Sequence, residues 1–167
     1  SALTKLSTSF YEGFGMAETL THVAVRQLNE TTIKYFEAMP DVELSQDERN
    51  CLVIDRPGIT SGKLTTNDLV ELNRSGFEWL GRIDHLINSG GIKIIPEEVE
   101  AELAHHIRSN FFVGGIPNEV FGEMVCLFIE GDEEVNLDAF TFESIYYRPK
   151  RILRMDKFLY TESGKIK

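Results

Sequence analysis

The segment from Gly81 to Glu100 carries the side chains of this sequence that are best suited to chemistry. It combines Arg82, Asp84 and the pair Gly90–Gly91 with a helix start at Pro96. The planar guanidinium of an arginine offers directional donors, and glycine lets the backbone approach another group closely. A hairpin followed by a capped helix would explain the spacing as structure alone. The density of these residue types favours a functional segment.

Three shorter segments contain further residues with chemical potential. They are Tyr11–Thr19, Thr65–Asp68 and Thr161–Ile166. Taken singly, each has an ordinary structural explanation: a glycine-rich turn with a core phenylalanine, an aspartate that caps a turn, and a solvated chain end. Their order along the chain, together with the Gly81–Glu100 segment, is what makes them informative.

Residues 1–80 have the pattern of a β-rich region. Alternating or continuous apolar runs predict several short strands, and a turn at Arg74–Gly76 predicts a hairpin. Short strands at close spacing indicate a small barrel or half-barrel. The expected strands lie at His22–Arg26, Ile33–Phe36, Val42–Leu44, Cys51–Ile54, Leu69–Leu72 and Phe77–Leu80.

Residues 81–167 have a mixed pattern. Pro96 begins a predicted helix, with Glu97 and Glu98 where the helix dipole favours negative charge and an apolar stripe from Val99 through Leu103 to Ile107. The fold class is therefore α+β, with domains at 1–80 and 81–167. The remaining expected elements are strands at Asp84–Ile87, Ile92–Ile94, Phe111–Val113, Met124–Ile129 and Ile152–Leu153, and a short helix over Leu137–Tyr147.

Composition excludes several classes of protein. The net charge of -10 argues against a nucleic-acid partner. No apolar run reaches the roughly 18 residues that a membrane helix needs. Cys51 and Cys126 lie in separate apolar runs, which favours reduced core cysteines and a cytoplasmic protein. His105 and His106 are neighbours on a predicted helix and point to different faces, so they cannot share a metal ion.

The four segments, taken in order, resemble the motifs of the adenylate-forming acyl-CoA synthetase superfamily. The resemblance is most specific for Gly81–Glu100 and covers nearly the whole chain. Members of that family activate a carboxylic acid with ATP and then transfer the acyl group to coenzyme A. The resemblance implies ATP/AMP, Mg²⁺ and coenzyme A as cofactors and a small carboxylic acid as substrate.

The resemblance also implies roles for the first two segments. Phe14, followed by Gly15, would stack on adenine, and Glu18 would hold the Mg²⁺ that bridges the ATP phosphates. Asp68 would accept hydrogen bonds from both ribose hydroxyls. The sequence departs from the family pattern at two positions. Ala17 replaces a threonine whose hydroxyl meets a phosphate, and Asn67 replaces a glycine.

For the last two segments the resemblance implies both half-reactions. Arg82 would contact the ribose or a phosphate, and Asp84 would be the hinge about which the C-terminal domain swings. Gly90 and Gly91 would line the pantetheine tunnel. Lys165 would stabilise negative charge on the carboxylate and α-phosphate while pyrophosphate leaves.

Within the superfamily the resemblance is strongest to the o-succinylbenzoate–CoA ligase branch, which acts in menaquinone biosynthesis. It rests on Phe14–His22 and on Arg82–Lys93. In that branch Thr19, Thr21 and His22 are candidates for acyl-substrate contacts. A plain β-branched strand with one histidine is the alternative interpretation of these three residues.

The family's phosphate loop and nucleotide-binding sheet have no counterpart before Tyr11. The chain is therefore interpreted as the end of the large AMP-binding domain, a β-rich and barrel-like remnant, followed by the mobile α+β C-terminal domain. Its expected partner is the missing N-terminal domain, and alone it is expected to be inactive and to self-associate. The alternatives are another acyl- or aryl-CoA synthetase, an adenylation domain that serves a carrier protein, and a non-catalytic binding or assembly module.

Overall fold

The computed structural model describes residues 8–29, 34–142, 144–162 and 164–166 of the chain. The chain forms two compact units, and the boundary between them lies between Ile83 and Asp84. Each unit contains its own β-sheet and its own hydrophobic core. One α-helix lies in the described residues, in the second unit. The structure is thus mostly β with one helix, in agreement with the α+β prediction at that coarse level.

The first unit is built on an antiparallel sheet. Among the described residues its strand order is β1-β2-β3-β7-β6-β5-β4, with no pairing between the outer strands β1 and β4. The sheet is therefore open, and the expected barrel is not confirmed. The strands are β1 Tyr11–Gly15, β2 His22–Gln27, β3 Phe36–Ala38, β4 Glu43–Gln46, β5 Cys51–Asp55, β6 Leu64–Leu72 and β7 Gly76–Arg82.

Apolar side chains from five strands form the core of the first unit. Its buried members come from β2, β3, β5, β6 and β7, so the apolar positions of five strands meet. Phe36 and Phe77 stack at 5.5 Å between ring centroids. The buried residues are Val23, Ala24, Phe36, Leu52, Ile54, Val70 and Phe77.

The predicted hairpin is confirmed as β6 and β7, joined by a turn in which Asn73 Oδ1 accepts from the Gly76 amide at 2.8 Å. β7 continues to Arg82, so Gly81 and Arg82 belong to the sheet of the first unit. The predicted strands at His22–Arg26 and Cys51–Ile54 are also confirmed. The predicted strand at Ile33–Phe36 is confirmed only at its last residue: β3 begins at Phe36, Lys34 and Tyr35 precede it, and Ile33 lies outside the described residues.

The second unit contains a mixed sheet and one helix. β11 pairs antiparallel with β10 and with β8, and parallel with β12, while β8 also pairs with β9. β11 is therefore the central strand. The elements are β8 Ile87–Ser89, β9 Ile92–Ile94, α1 Pro96–Leu103, β10 Phe111–Asn118, β11 Gly122–Glu130 and β12 Arg151–Met155.

Helix α1 begins where the sequence predicts. Pro96 occupies the start of the helix, where its missing N–H costs nothing. Val99 and Leu103 are fully buried against the sheet. Ile107 lies beyond the helix end, where its N–H donates to the Leu103 carbonyl at 3.1 Å, and its side chain is still buried in the core of the second unit. The apolar stripe is therefore confirmed, although the helix is shorter than the stripe.

Three predicted elements of this unit are wrong. Residues 83–85 form a 3₁₀ turn, and strand β8 starts only at Ile87. The predicted helix at 137–147 is a 3₁₀ turn at Leu137–Ala139, where the Asn136 side chain caps the turn and Phe140 continues in an extended conformation. His105 and His106 lie in a turn after α1. Phe140 and Phe142 pack against the hydrophobic core of the second unit without forming a helix. The spacing of such apolar residues resembles that of a helix in the sequence.

Cys51 and Cys126 are both buried thiols, in agreement with the predicted core cysteines. Among the described residues no helix has the length and apolarity needed to cross a membrane.

Candidate functional site

The first candidate segment is a strand that ends in a tight turn. β1 stops at Gly15, and a 3₁₀ turn covers Ala17–Thr19. Thr19 closes this turn: its hydroxyl accepts from the Met16 amide at 3.1 Å and contacts the carbonyl oxygens of Met16 and Thr21 at 3.0 and 2.7 Å. The side chain is fully buried. Thr19 thus supports the backbone of the turn, and its hydroxyl is not presented to an acyl substrate.

Gly15 has a packing reason to be glycine. A side-chain carbon at this position would lie 2.6 Å from the Thr21 carbonyl oxygen and 2.8 Å from the Cα of His22. The absence of a side chain lets the two strands meet at the turn. Thr21 and His22 are exposed and linked at 3.2 Å through Oγ1 and Nδ1. Gly15, Thr21 and His22 line a shallow depression of about 440 Å³ beside the turn.

Phe14 is half-buried and packs into the core of the first unit. Its ring makes edge contacts with Phe36 and Phe77 at centroid distances of 5.6 and 5.0 Å. Such edge-to-face contacts fix the plane of the ring. The cluster therefore orients Phe14, and only the remaining part of the ring surface can receive a flat ligand.

Glu18 is exposed in the same turn. In the described part of the chain no group of three His, Cys, Asp or Glu side chains is arranged to hold a metal ion. A single carboxylate suits Mg²⁺ bound mainly by phosphates and water, because this ion takes few protein ligands. Glu18 is therefore compatible with the predicted role of a single carboxylate ligand to Mg²⁺.

Asp68 and Arg82 come together on neighbouring strands. They are opposite each other in the β6–β7 register. Asp68 is buried, with 7% of its surface exposed. Its Oδ1 accepts from the indole Nε1 of Trp79 at 3.0 Å, and its amide donates to Thr66 Oγ1 at 3.0 Å. The carboxylate is therefore held in place beside an arginine, an arrangement that can accept hydroxyl donors and donate to an anion.

In the second unit the glycine pair forms a two-residue hairpin turn. β8 and β9 pair with Ser89 opposite Ile92, so only Gly90 and Gly91 lie between them. Both have positive φ, +62° and +83°. A two-residue turn with two positive φ values is favoured between twisted antiparallel strands and selects glycine. Asp84, the predicted hinge, is exposed in the 3₁₀ turn at the first position of this unit.

The β8–β9 hairpin that contains the glycine turn is hydrogen-bonded to the β10–β11 hairpin. The Gly90 amide donates to the Phe121 carbonyl at 2.7 Å, and the Phe121 ring lies 3.7 Å from the position a Gly90 side chain would take. The Asn88 amide donates to Glu123 Oε2 at 2.7 Å. Two backbone amides of the β8–β9 hairpin thus bind acceptors of the β10–β11 hairpin, one in its turn at Phe121 and one near the start of β11 at Glu123.

Lys165 lies in a small closed loop at the end of the described chain. Its side chain is exposed. Its amide donates to Thr161 Oγ1 at 3.0 Å, and its carbonyl accepts from the Thr161 amide at 2.7 Å. A bridge between Tyr160 and Ile166 closes the loop. Backbone contacts therefore fix the point from which the lysine side chain extends.

This loop is tied to the sheet through Glu130. The carboxylate accepts from the Tyr160 hydroxyl, from Asn110 Nδ2 at 2.8 Å and from the Phe158 amide at 3.1 Å. Hydrogen bonds from Tyr160 and Asn110 hold the pKa of Glu130 below its usual value. An ionised Glu130 thus anchors the segment that leads to Lys165.

Sequence reasoning missed three supporting residues: Trp79, Glu123 and Glu130. Each acts on a candidate residue that is distant in sequence, and no local pattern marks that contact. Trp79 is the lone tryptophan, and Glu123 and Glu130 stand at the two ends of an apolar run, which was the only available signal.

No protein-family model matches the chain. The chain is 36% identical over 121 residues to oxalate–CoA ligase of Arabidopsis thaliana, an alignment that covers 67% of this chain and 24% of that protein. It is 27% identical over 184 residues to 2-succinylbenzoate–CoA ligase of Listeria monocytogenes, which covers 93% of this chain and 38% of that protein. The chain therefore spans about a quarter to two fifths of these relatives.

A solved structure has the same fold. o-Succinylbenzoate CoA synthetase from Bacillus subtilis, in complex with its acyl-adenylate intermediate, matches 99% of this chain and 41% of its own length, with a TM-score of 0.84 and 18% identity. The order of the motifs, the sequence relatives and the fold agree. The chain belongs to the adenylate-forming (AMP-binding) acyl-CoA synthetase superfamily, to whose C-terminal portion it corresponds.

Proposed function

We propose that this chain is the C-terminal part of an ATP-dependent, AMP-forming acid–CoA ligase. The observation that carries the proposal is the pairing of buried Asp68 with Arg82 across β6 and β7, with Trp79 holding the carboxylate. This constellation offers an acceptor for ribose hydroxyls and a cation for a phosphate or ribose oxygen. Residues 1–83 would complete the nucleotide-binding domain, and residues 84–167 would be the domain that swings about Asp84.

In the first half-reaction the substrate carboxylate attacks the α-phosphorus of ATP. A P–O bond forms, pyrophosphate leaves, and an acyl-adenylate results. Lys165 places a fixed cation where negative charge develops, and the loop held by Thr161 prepares that position in advance. Glu18 would hold Mg²⁺, which supplies charge neutralisation of the phosphates when it is bound.

In the second half-reaction the coenzyme A thiol attacks the acyl carbonyl. The C–S bond forms, AMP leaves with the electrons of the C–O bond, and the thiol proton passes to solvent. The Gly90–Gly91 turn would replace Lys165 at the site after rotation about Asp84. A turn without side chains leaves room for a narrow thiol-bearing chain. Separate closed poses would also keep water away from the reactive adenylate.

o-Succinylbenzoate is the first candidate acid. The Listeria relative covers 93% of this chain, the longer of the two sequence alignments. Thr21 and His22, both exposed along the depression beside Gly15, are the residues we assign to the acyl group. The chain is 36% identical over 121 residues to oxalate–CoA ligase, which supports a second candidate substrate, a small dicarboxylic acid.

The test uses the full-length protein that contains this chain, supplied with ATP, Mg²⁺, coenzyme A and one acid at a time. AMP and pyrophosphate release with o-succinylbenzoate is the expected result. Release with oxalate or another acid alone would keep the mechanism and overturn the substrate. Release of ADP would overturn the AMP-forming mechanism, and no nucleotide turnover with any acid would favour the non-catalytic module. Thioester formation on a carrier protein instead of coenzyme A would favour the carrier-dependent alternative.

A further inference from the structure

β11 connects, at its two ends, to the two segments assigned to different half-reactions. At its beginning Gly122 pairs with Ser89, next to the Gly90–Gly91 turn. Along its later half it pairs with β12, whose end leads to the Lys165 loop. The β10–β11 register is unbroken from Asn118–Gly122 to Phe111–Ile129. β11 is therefore a regular strand, about 25 Å long at roughly 3.3 Å per residue.

Each end of β11 carries a glutamate that binds one of these segments. Glu123 accepts the Asn88 amide at 2.7 Å and lies over Gly115, where a side-chain carbon would come within 2.7 Å of its Oε1. Glu130 accepts the Tyr160 hydroxyl and the Phe158 amide. Seven positions separate the two residues, so in a regular strand their side chains leave opposite faces of the sheet. The two anchors are independent of each other.

We infer that Glu123 and Glu130 are positioning residues, each for one half-reaction. Glu123 positions the Gly90–Gly91 turn for thioester formation, and Glu130 positions the Lys165 loop for adenylation. The inference rests on the proposed function and deepens it. Neither carboxylate is proposed to contact substrate: Glu123 acts through the Asn88 amide, and Glu130 acts through the Phe158 amide and the Tyr160 hydroxyl.

The geometry makes the effects separable. Loss of the Glu123 acceptor leaves the Asn88 amide without its carboxylate partner and frees one side of the turn, while the Tyr160–Ile166 loop keeps all its contacts. Loss of Glu130 removes three hydrogen bonds, two from the tail (the Tyr160 hydroxyl and the Phe158 amide) and one from Asn110 Nδ2, while the β8–β9 hairpin is untouched. Displacing a reacting group by 1 Å can cost about 100-fold in rate.

The experiment measures the two half-reactions separately in the full-length protein that contains this chain. Adenylation is followed by ATP–pyrophosphate exchange with the accepted acid, and thioester formation by the reaction of purified acyl-adenylate with coenzyme A. The variants are Glu123→Ala and Glu130→Ala, with Glu123→Gln and Glu130→Gln as conservative versions that retain an oxygen acceptor. Exposed Glu134→Gln is the matched control.

Glu123→Ala is expected to slow thioester formation by at least about 10-fold, with a raised KM for coenzyme A, and to leave adenylation within about 2-fold. Glu130→Ala is expected to give the reverse pattern. The glutamine variants should recover part of each loss. Equal losses in both half-reactions, or none, would overturn the inference.

Amide hydrogen exchange distinguishes a local loss of contacts from unfolding of the variant. Glu123→Ala should raise exchange at Gly90, and Glu130→Ala should raise exchange at Phe158 and Lys165, each without effect at the other site. Global exchange in both variants would overturn the assignment of separate anchors. A wild-type protein with neither half-reaction would instead contradict the proposed function, and the exchange pattern would still test the two anchors.

Discussion

Trp79 donates its indole N–H to Oδ1 of Asp68 at 3.0 Å, from the strand next to the one that carries the carboxylate. A buried carboxylate without a donor would be costly and free to rotate. The tryptophan supplies that donor and leaves the other oxygen, Oδ2, to be shared with a ligand. The proposed nucleotide-binding role of Asp68 thus depends on a residue eleven positions away.

Trp79→Phe removes this donor and keeps an aromatic ring in the half-buried site. We expect the KM for ATP to rise about 5-fold, the equivalent of one ordinary hydrogen bond of about 1 kcal/mol. Steady-state kinetics of the full-length protein measures this. Tyr35→Phe, a partly exposed aromatic residue of the same unit, is the matched control. An unchanged KM for ATP in Trp79→Phe would show that the indole hydrogen bond to Asp68 does not contribute to ATP binding.

Ala17 occupies the position where the family has a threonine that meets a phosphate. Its side chain is exposed in the 3₁₀ turn, so a larger side chain has room. Ala17→Thr is expected to increase kcat/KM for ATP about 10-fold, because a hydrogen bond to a charged group contributes about 1.5–3 kcal/mol. Ala17→Val, which has the same shape without the hydroxyl, should give no gain. An equal gain in both variants would mean that bulk, not hydrogen bonding, matters.

Gly91 and Gly131 form a matched pair for testing the glycine turn. Their φ values are +83° and +86°, and neither would bring a side-chain carbon within 4 Å of another atom. Alanine at either position should therefore cost a similar amount of stability, about 1 kcal/mol. Only Gly91→Ala should slow thioester formation. Thermal unfolding and the coenzyme A half-reaction, measured for both variants, check this; equal kinetic losses would contradict the special role of the turn.

Glu133 makes part of the second unit sensitive to acid. Its carboxylate accepts from the Ser109 amide at 2.7 Å and from the Arg108 amide at 3.2 Å. The bond from the Ser109 backbone, more than any other contact, lowers the pKa of Glu133 from its ordinary value of 4.5. The pKa is lower in the folded chain, so the stabilisation is present above pH 4.5 and is lost as the pH falls through the folded pKa.

Glu133→Gln should flatten this acid dependence. The measurement is hydrogen exchange at Arg108 and Ser109 as a function of pH, corrected for intrinsic exchange. In the wild-type chain protection should fall below pH 4.5, the ordinary value for the group. Glu134→Gln next to it is the control and should retain the wild-type profile. An identical pH dependence in Glu133→Gln would show that another group is responsible.

The sequence predicted the elements whose signals are local. Pro96 with two following acids marked the start of α1, and the Arg74–Gly76 turn marked the β6–β7 hairpin. The predicted helix at 137–147 failed because Phe140 and Phe142 pack on the sheet one by one. The expected barrel-like arrangement is not confirmed; it depends on strand pairing between distant segments, which leaves no local signal in the sequence.

The same distinction applies to the candidate site. Asp68, Arg82, Gly90 and Lys165 were predicted from motifs, since each lies in a short recognisable segment, and their roles stay predictions. Thr19 was interpreted as a substrate contact, but its hydroxyl makes hydrogen bonds to backbone groups of the turn that follows β1. The residues that hold the site in place could not be found, because they act across strands. Trp79, Glu123 and Glu130 each bind a partner at least eleven positions away.

The most direct test of the central claim is the adenylation half-reaction of Lys165→Ala in the full-length protein, beside exposed Lys63→Ala as the control for charge. We expect Lys165→Ala to lower ATP–pyrophosphate exchange by about 100-fold or more, because a preorganised positive charge is lost. The reaction of supplied acyl-adenylate with coenzyme A should stay within about 2-fold of wild type, because the glycine turn is intact. Unchanged pyrophosphate exchange in Lys165→Ala would contradict the account.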